Sequence, residues 1–171
     1  MNALLRSTIA GLLAAALAAP FAPALAQDVS VFGDLGSQSG EPIKVTADVF
    51  EVDRNAHNAR FSGHAVVTQG AFELDAPKID VNYGPGGASD ITAIHATGGV
   101  RMRFGDQSAT GDRADYDPRT QVLTLIGNVT VTGSKGTVKG PKLVVNVAKG
   151  TSQFTGSGNS RVTGVFSTTG R

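Results

Sequence analysis

The chain has no cysteine and no tryptophan among its 171 residues, and only 6% of them are aromatic. Without cysteine, no disulfide, thiol nucleophile or thiolate metal site can form, so stability has to come from burial and backbone pairing. Stretches rich in Ala, Leu, Glu and Lys, which form helices, are also missing after residue 26, whereas glycine, valine and threonine recur. This composition favours β-strands and tight turns.

Motifs for catalysis and for cofactor binding are missing as well. Metal-ligand spacing is absent from the only histidines, which are His57, His64 and His95. The carboxylates Asp112, Asp115 and Asp117 lack the glycine and the terminal glutamate of a calcium-binding loop. The sequence contains neither a nucleophile elbow nor a phosphate-binding glycine loop. We therefore expect no enzyme activity, no metal and no cofactor.

Acidic residues are missing from the last third of the chain. All 14 lie between Asp28 and Asp117, a span that holds seven basic residues and so carries a net charge of −7. Residues 118–171 hold seven basic residues and no acid, a net charge of +7. Two interpretations stay open: chance, or an electrostatic polarity that orients a neighbour or an anionic ligand. Overall neutrality and the few aromatics disfavour nucleic-acid binding.

The first 26 residues predict a cleavable secretory signal peptide. Arg6 precedes a short apolar run from Ile9 to Leu17, and Ala24-Leu25-Ala26 offers a small-residue cleavage site. A membrane anchor is disfavoured because prolines interrupt the apolar segment, which is too short to span about 30 Å of hydrocarbon. Residues 27–171 then fit one secreted domain. Within it, residues 27–42, rich in Gly, Ser and Gln, are predicted to form a flexible N-terminal lead.

An internal repeat is the strongest pattern in the remaining chain. Residues 46–83 and 110–147 align without gaps at an offset of 64, with ten identities in 38 positions. Random matching would give about two or three at average residue usage. A finer period is marked by glycines that follow short alternating runs, at Gly63, Gly98, Gly127 and Gly156. The repeat predicts several short strands per unit, separated by turns.

Alternation of apolar and polar residues predicts which side chains share a face of the sheet. Thirteen are predicted to line a common inner apolar face: Phe61, Val67, Leu74, Ile79, Val81, Tyr83, Val100, Met102, Phe104, Leu123, Leu125, Val129 and Val131. Such a one-sided sheet must close on itself or meet another, as a jelly roll or trough, a sandwich or a β-solenoid. The many Ala and Gly residues on this face leave interior space, which favours a ligand.

Several segments resemble the OstA-like repeat of the LptA family of lipopolysaccharide export proteins. The segments are Val45-Thr46-Ala47-Asp48, residues 59–70 (ARFSGHAVVTQG), residues 109–117 (ATGDRADYD) and residues 125–131 (LIGNVTV). The resemblance covers residues 43–154, predicted as the OstA-like domain, and leaves residues 155–171 as a last strand or tail. It implies an all-β fold, a twisted, incompletely closed antiparallel β-jelly roll that forms a trough.

The resemblance also implies a function and partners. Members of this family bind the lipid A acyl chains of lipopolysaccharide and bridge the periplasm by head-to-tail stacking. They contact an inner-membrane-anchored partner of the same fold and the N-terminal domain of the outer-membrane translocon. We therefore expect a periplasmic, lipopolysaccharide-binding bridge protein whose thirteen inner-face residues contact acyl chains. The alternatives are a secreted β-repeat structural polymer without lipid ligand and a secreted enzyme on a β-scaffold.

Overall fold

The computed structural model describes Phe32 and residues 41–167, and most of them belong to one antiparallel β-sheet of ten strands. The strands are β1 (Lys44–Thr46), β2 (Val49–Asp53), β3 (Asn58–Gln69), β4 (Phe72–Tyr83), β5 (Ile91–Phe104), β6 (Gln107–Asp117), β7 (Val122–Gly133), β8 (Gly136–Asn146), β9 (Thr151–Thr155) and β10 (Thr163–Phe166). Between β4 and β5, the chain forms one 3-10 turn, Gly87–Ser89.

The predicted signal peptide and nearly all of the predicted lead lie outside the described residues. Within the described part, no helix is long and apolar enough to cross a membrane. The predicted C-terminal segment, residues 155–171, contains β10.

The long strands β3 to β8 follow one another as a meander, each paired with the next. Each outer edge is built from two short strands: β1 and β2 lie end to end along β3, and β9 and β10 lie end to end along β8. The two edges do not pair with each other among the described strands. The expectation of an all-β, incompletely closed antiparallel sheet is therefore confirmed.

A line of β-bulges crosses the middle of the sheet. On β3 the pair Gly63 and His64 faces the single residue Pro77 of β4, and on β7 the pair Gly127 and Asn128 faces Pro141 of β8. Both members of each bulge pair have positive φ, between 47° and 79°. A bulge bends its strand and increases the local twist, so a row of them folds the sheet along one crease. Proline fits opposite a bulge because it has no N–H to donate to the ladder.

The repeat has a structural basis at these bulges. The carboxylate of Asp48 lies over Gly63 and accepts a hydrogen bond from the His64 ring, with 3.0 Å between Nδ1 and Oδ2. Sixty-four residues later, Asp112 lies over Gly127, and Asn128 Nδ2 donates to its Oδ2 at 3.0 Å. A Cβ on Gly63 would lie 2.7 Å from the Cβ of Asp48. Glycine is therefore required both by the φ angle and by the space that the aspartate occupies.

Strand alternation separates an apolar inner face from a charged outer face. The inner face is packed with buried Ala, Val, Ile, Leu and Met side chains. One row on the outer face crosses five paired strands, with alternating charge around its histidine: Glu51, Arg60, Asp80, His95 and Asp115. Arg60 Nε donates to Asp80 Oδ1 at 2.7 Å, and His95 Nδ1 lies 2.8 Å from Asp115 Oδ1. These cross-strand pairs fix the register on the wet side of the sheet.

Candidate ligand-binding cavity

The curled sheet encloses an apolar cavity of about 720 Å³. Its walls come from β1 to β5 on one side and, on the other, from the ends of β6 and β7 and from Val147 just after β8. Residues far apart in sequence, such as Phe50 of β2 and Val147 after β8, therefore line the same space. Ring stacking of Phe50 on Phe61, with 4.6 Å between the centroids, joins the edge strand β2 to the cavity wall.

One stacked ring pair and a partly buried phenol account for several of the polar groups of the cavity lining. The ring of His57 stacks on Tyr83 with 5.7 Å between the centroids, and Tyr83 Oη donates to the carbonyl of Asp53 at 3.4 Å. Burial, followed by the nearby charge of Asp117, raises the pKa of the Tyr116 phenol above its ordinary value. Most of the lining is therefore hydrocarbon and aromatic, with Arg54, Gln69 and Gln121 as its other polar members.

Seven of the thirteen residues predicted for the inner face line this cavity. They are Phe61, Val67, Leu74, Ile79, Val81, Tyr83 and Leu123. The other six lie on the same face, packed in or against the core beyond the cavity: Val100, Met102, Phe104, Leu125, Val129 and Val131. The structure thus places all thirteen on one apolar face. Their contact with acyl chains stays a prediction.

The sequence pattern missed much of the cavity wall. Missed lining residues include Ile43, Val45, Phe50, Val52, Ile91, Ile94, Tyr116 and Val147. The alternating segment Val49–Asp53 carries the signal for β2, because Phe50 and Val52 share one face of the strand and Val49 and Glu51 share the other. The side chains of Ile43, Phe50 and Val52 are at least half exposed, so the cavity wall continues to the open edge of the sheet.

Phe32 is a second residue that the sequence pattern did not place. It lies in the segment predicted as a flexible lead, yet its side chain is fully buried in the same core cluster as Met102, Ala109 and Val131. Its backbone N–H donates to Gln107 Oε1 at 2.7 Å. The part of the interior beyond the cavity is therefore filled, and Phe32 contributes to that filling.

Charges around the sheet divide into paired and unpaired groups. Six basic residues up to Arg119 form ion pairs: Arg60, Lys78, Arg101, Arg103, Arg113 and Arg119. Burial opposes ionisation of Asp80, but hydrogen bonds from Arg60 and Lys78 outweigh it and lower the pKa of this carboxyl group. At the bulge of β3, the hydrogen bond to Asp48 raises the pKa of His64. No described basic residue after Arg119 has an ion pair.

These features suit the shielding of an apolar molecule. Within residue 32 and residues 41–167, no group of three His, Asp or Glu side chains could hold a metal ion. The cavity lining consists mainly of aliphatic and aromatic groups.

Comparisons with known proteins agree with this architecture. An uncharacterised protein of Rhizobium meliloti (strain 1021) is 30% identical over 158 residues, which cover 88% of this chain and 83% of that protein. The lipopolysaccharide export system protein LptA of Escherichia coli (strain K12) is 27% identical over 148 residues, covering 83% of this chain and 79% of that protein.

A solved structure shares the fold. It is that of LptH, described as the LptA-homologous periplasmic component of the lipopolysaccharide transport device of Pseudomonas aeruginosa. LptH aligns with a TM-score of 0.66 and 21% identity, over 77% of this chain and 99% of that one. The sequence model of the family described as LptA/(LptD N-terminal domain) LPS transport protein matches residues 44–151, well over half of the chain. The chain therefore belongs to this family of lipopolysaccharide transport proteins, which is not a family of enzymes.

Proposed function

We propose that the protein works in the periplasm, binds the acyl chains of lipopolysaccharide in the apolar cavity, and passes the lipid from the inner to the outer membrane. The observation that carries this proposal is an apolar cavity of about 720 Å³ inside a sheet whose two described edges do not pair. Water finds few hydrogen-bond partners in such a space, whereas an apolar chain that moves into it from water gains the free energy of transfer. The family membership of residues 44–151 supports the same function.

The energetics suit a carrier. Each methylene that moves from water into an apolar groove gains about 0.8 kcal/mol, so a chain of about ten carbons could gain about 8 kcal/mol. A lipid whose chains lie in the cavity can leave its sugars in water, because the sheet does not close around the interior. The outer face, with its cross-strand ion pairs, stays solvated throughout.

Bridging requires partners, and the two sheet edges are the surfaces that suit them. Apolar side chains are exposed on both: Val49 and Phe50 on the first edge, Val165 and Phe166 on the second. Edge strands have unpaired backbone groups that can extend a sheet into a neighbouring one. We propose head-to-tail self-association through these edges, together with docking to an inner-membrane-anchored partner of the same fold and to the N-terminal domain of the outer-membrane translocon.

Neighbouring residues on β3 provide a matched test of the cavity. Phe61 lines the cavity, whereas Arg60 is on the outer face, bonded to Asp80. A photo-crosslinking amino acid is placed at either position, and the protein is purified from a lipopolysaccharide-producing bacterium after irradiation. We expect a lipopolysaccharide adduct from position 61 and none from position 60. Leu123 and Thr124 on β7 form a second pair, because Leu123 lines the cavity and Thr124 alternates to the other face.

Equal adduct formation at both members of each pair would contradict the cavity assignment. A protein that assembles into long polymers but never yields a lipid adduct at Phe61 or Leu123 would instead favour the structural-polymer alternative. Co-purification of lipopolysaccharide with the unmodified protein, quantified per mole of chain, gives an independent measure that needs no substitution.

A further inference from the structure

The second sheet edge carries a polar depression that the apolar cavity does not include. Strand β8 pairs with β10 through Gly136–Lys139 and with β9 through Lys142–Asn146, so no described strand pairs with Gly140 and Pro141 on that side. At this gap lies a depression of about 380 Å³, here named the basic notch. Its polar lining consists of Asn128, Thr130, Lys139, Ser160 and Arg161.

The connection between β9 and β10 is shaped to place Arg161 there. Ser157 and Ser160 exchange both backbone hydrogen bonds, at 3.1 and 2.9 Å, which closes a two-residue turn containing Gly158 at a φ of 54°. Gly140 lets this connection approach β8, because a Cβ on Gly140 would lie 3.1 Å from Phe154 and 3.3 Å from Val162. The position of Arg161 beside β8 is therefore a product of the local fold.

The lining of the notch carries two basic side chains and, among the described residues, no acidic one. Lys139 and Arg161 form no ion pair among the described residues, unlike the arginines of β3, β5 and β6. The carboxylate of Asp112 lies next to the lining, where it accepts a hydrogen bond from Asn128. At the offset of 64, Lys139 corresponds to Asp75, which faces Arg101 at 3.9 Å. The repeat alone therefore does not produce the notch.

The lining defines the chemistry of its ligand. Guanidinium, ammonium, hydroxyl and amide groups supply donors around one space, and an arginine fork matches the oxygens of a phosphate. We propose that the basic notch binds a phosphate group carried on the sugar headgroup of the lipid whose chains enter the cavity. This inference rests on the proposed function. If the lipid chains lie inside the sheet and the headgroup lies outside it, the phosphate lies near an open edge. The notch is on such an edge.

The experiment separates a lipid phosphate from a free anion and the notch from the cavity. Affinities of the full-length mature protein are measured for bis-phosphorylated lipid A and for enzymatically dephosphorylated lipid A, both in the same detergent. In parallel, amide chemical shifts are recorded during titration with inorganic phosphate. The notch variant is Lys139→Glu/Arg161→Glu. Its matched control is Lys135→Glu/Lys149→Glu, which makes the same charge change on exposed lysines outside the notch.

We expect the wild type and the control to prefer phosphorylated lipid A by about tenfold, the scale of one charge-assisted contact. The notch variant should lose this preference and keep its affinity for the dephosphorylated lipid. Equal preference in the notch variant and the control, or none in the wild type, overturns the inference. If inorganic phosphate shifts the amides of Thr130 and Arg161 but the lipid preference is absent, the site binds a free anion and the headgroup assignment is wrong. Binding of neither lipid by the wild type would instead refute the proposed function.

Discussion

Two valines on one edge strand allow the cavity to be tested with the effect on stability held constant. Val52 and Val49 lie on β2 and are 50% and 49% exposed, but only Val52 lines the cavity. Replacing either by aspartate adds the same charge at the same exposure on the same strand. The loss of β-propensity, up to about 1 kcal/mol, is therefore expected to be alike in both variants.

The expected difference lies in lipid binding. The exposed half of Val52 is the part that an acyl chain can cover, so aspartate forfeits about half of the 2 kcal/mol of a fully buried valine, or about 1 kcal/mol. The chain must also desolvate part of the new carboxylate, which costs at least about 1 kcal/mol more. Together these terms weaken binding by about 30-fold. In Val49→Asp, the carboxylate faces away from the cavity, and the affinity should stay within about twofold of the wild type.

A fluorescent lipopolysaccharide titration measures both affinities, and urea unfolding checks that the two variants are equally stable. Val52→Leu serves as a further control, because it keeps the wall apolar and should bind at least as well as the wild type. An equal loss of affinity in Val52→Asp and Val49→Asp would mean that edge damage, not the cavity, controls binding. Unchanged affinity in Val52→Asp would mean that lipid does not reach this wall.

Three further predictions concern the crease, its histidine and assembly. Gly99→Ala should lower the free energy of unfolding by about 1–3 kcal/mol from its φ of 95° alone, since a Cβ there meets nothing within 4 Å. Gly127→Ala should lower it further, because its Cβ collides with Asp112. Equal losses of stability in urea unfolding would refute the collision. The raised pKa of His64 means that its bond to Asp48 adds stability below the ordinary value of 6.5 and loses it as pH rises through the folded-state pKa. In an NMR titration, Asp48→Asn should therefore bring the pKa of His64 down, and an unchanged pKa would show that the bond does not form in solution. If the opposite charges of the two chain halves guide head-to-tail stacking, sedimentation should show less oligomer as ionic strength rises past about 0.15 M, and constant oligomer content would make the asymmetry incidental.

Period-two alternation predicted the inner face because most of each strand is regular. It could not predict how that alternation passes the bulges. On β4 the inward residues step by three from Ala76 to Ile79 across Pro77, whereas on β3 they step by four from Phe61 to Ala65 across the bulge. The glycines that mark the finer period lie inside long continuous strands at Gly63, Gly98 and Gly127, so the strands are longer than the short ones expected. Gly156 differs, since it follows the end of β9.

The cavity itself was beyond the reach of a local pattern. Its volume depends on how closely the bent sheet brings β2 to the ends of β7 and β8. Every bulge contributes to that bending. A pattern that assigns Leu123 and Leu125 to one face of β7 cannot tell that only the first borders open space. Burial of Phe32 was equally hidden, because a single aromatic in a Gly- and Ser-rich segment carries no periodicity.

The cavity should therefore serve lipid binding, whereas the filled part of the interior should serve stability. Two residues of β7 allow these roles to be tested separately. Leu123 borders the cavity at 5% exposure, whereas Leu125 is fully buried beyond it. Leu125→Ala should leave a closed void and cost about 2–5 kcal/mol of unfolding free energy. Leu123→Ala should cost at least about 1 kcal/mol less, because it only enlarges a space that already exists.

Lipid binding should show the opposite order. Leu123→Ala removes contact surface at the cavity wall and should weaken lipopolysaccharide binding by several fold, at about 0.8 kcal/mol per lost methylene contact. Leu125→Ala should leave affinity unchanged under conditions where the protein stays folded. Weaker binding in Leu125→Ala than in Leu123→Ala would mean that acyl chains displace the packed half of the interior, including Phe32, when they enter. The trough would then open along its whole length on loading, and the closed half would describe only the unloaded protein.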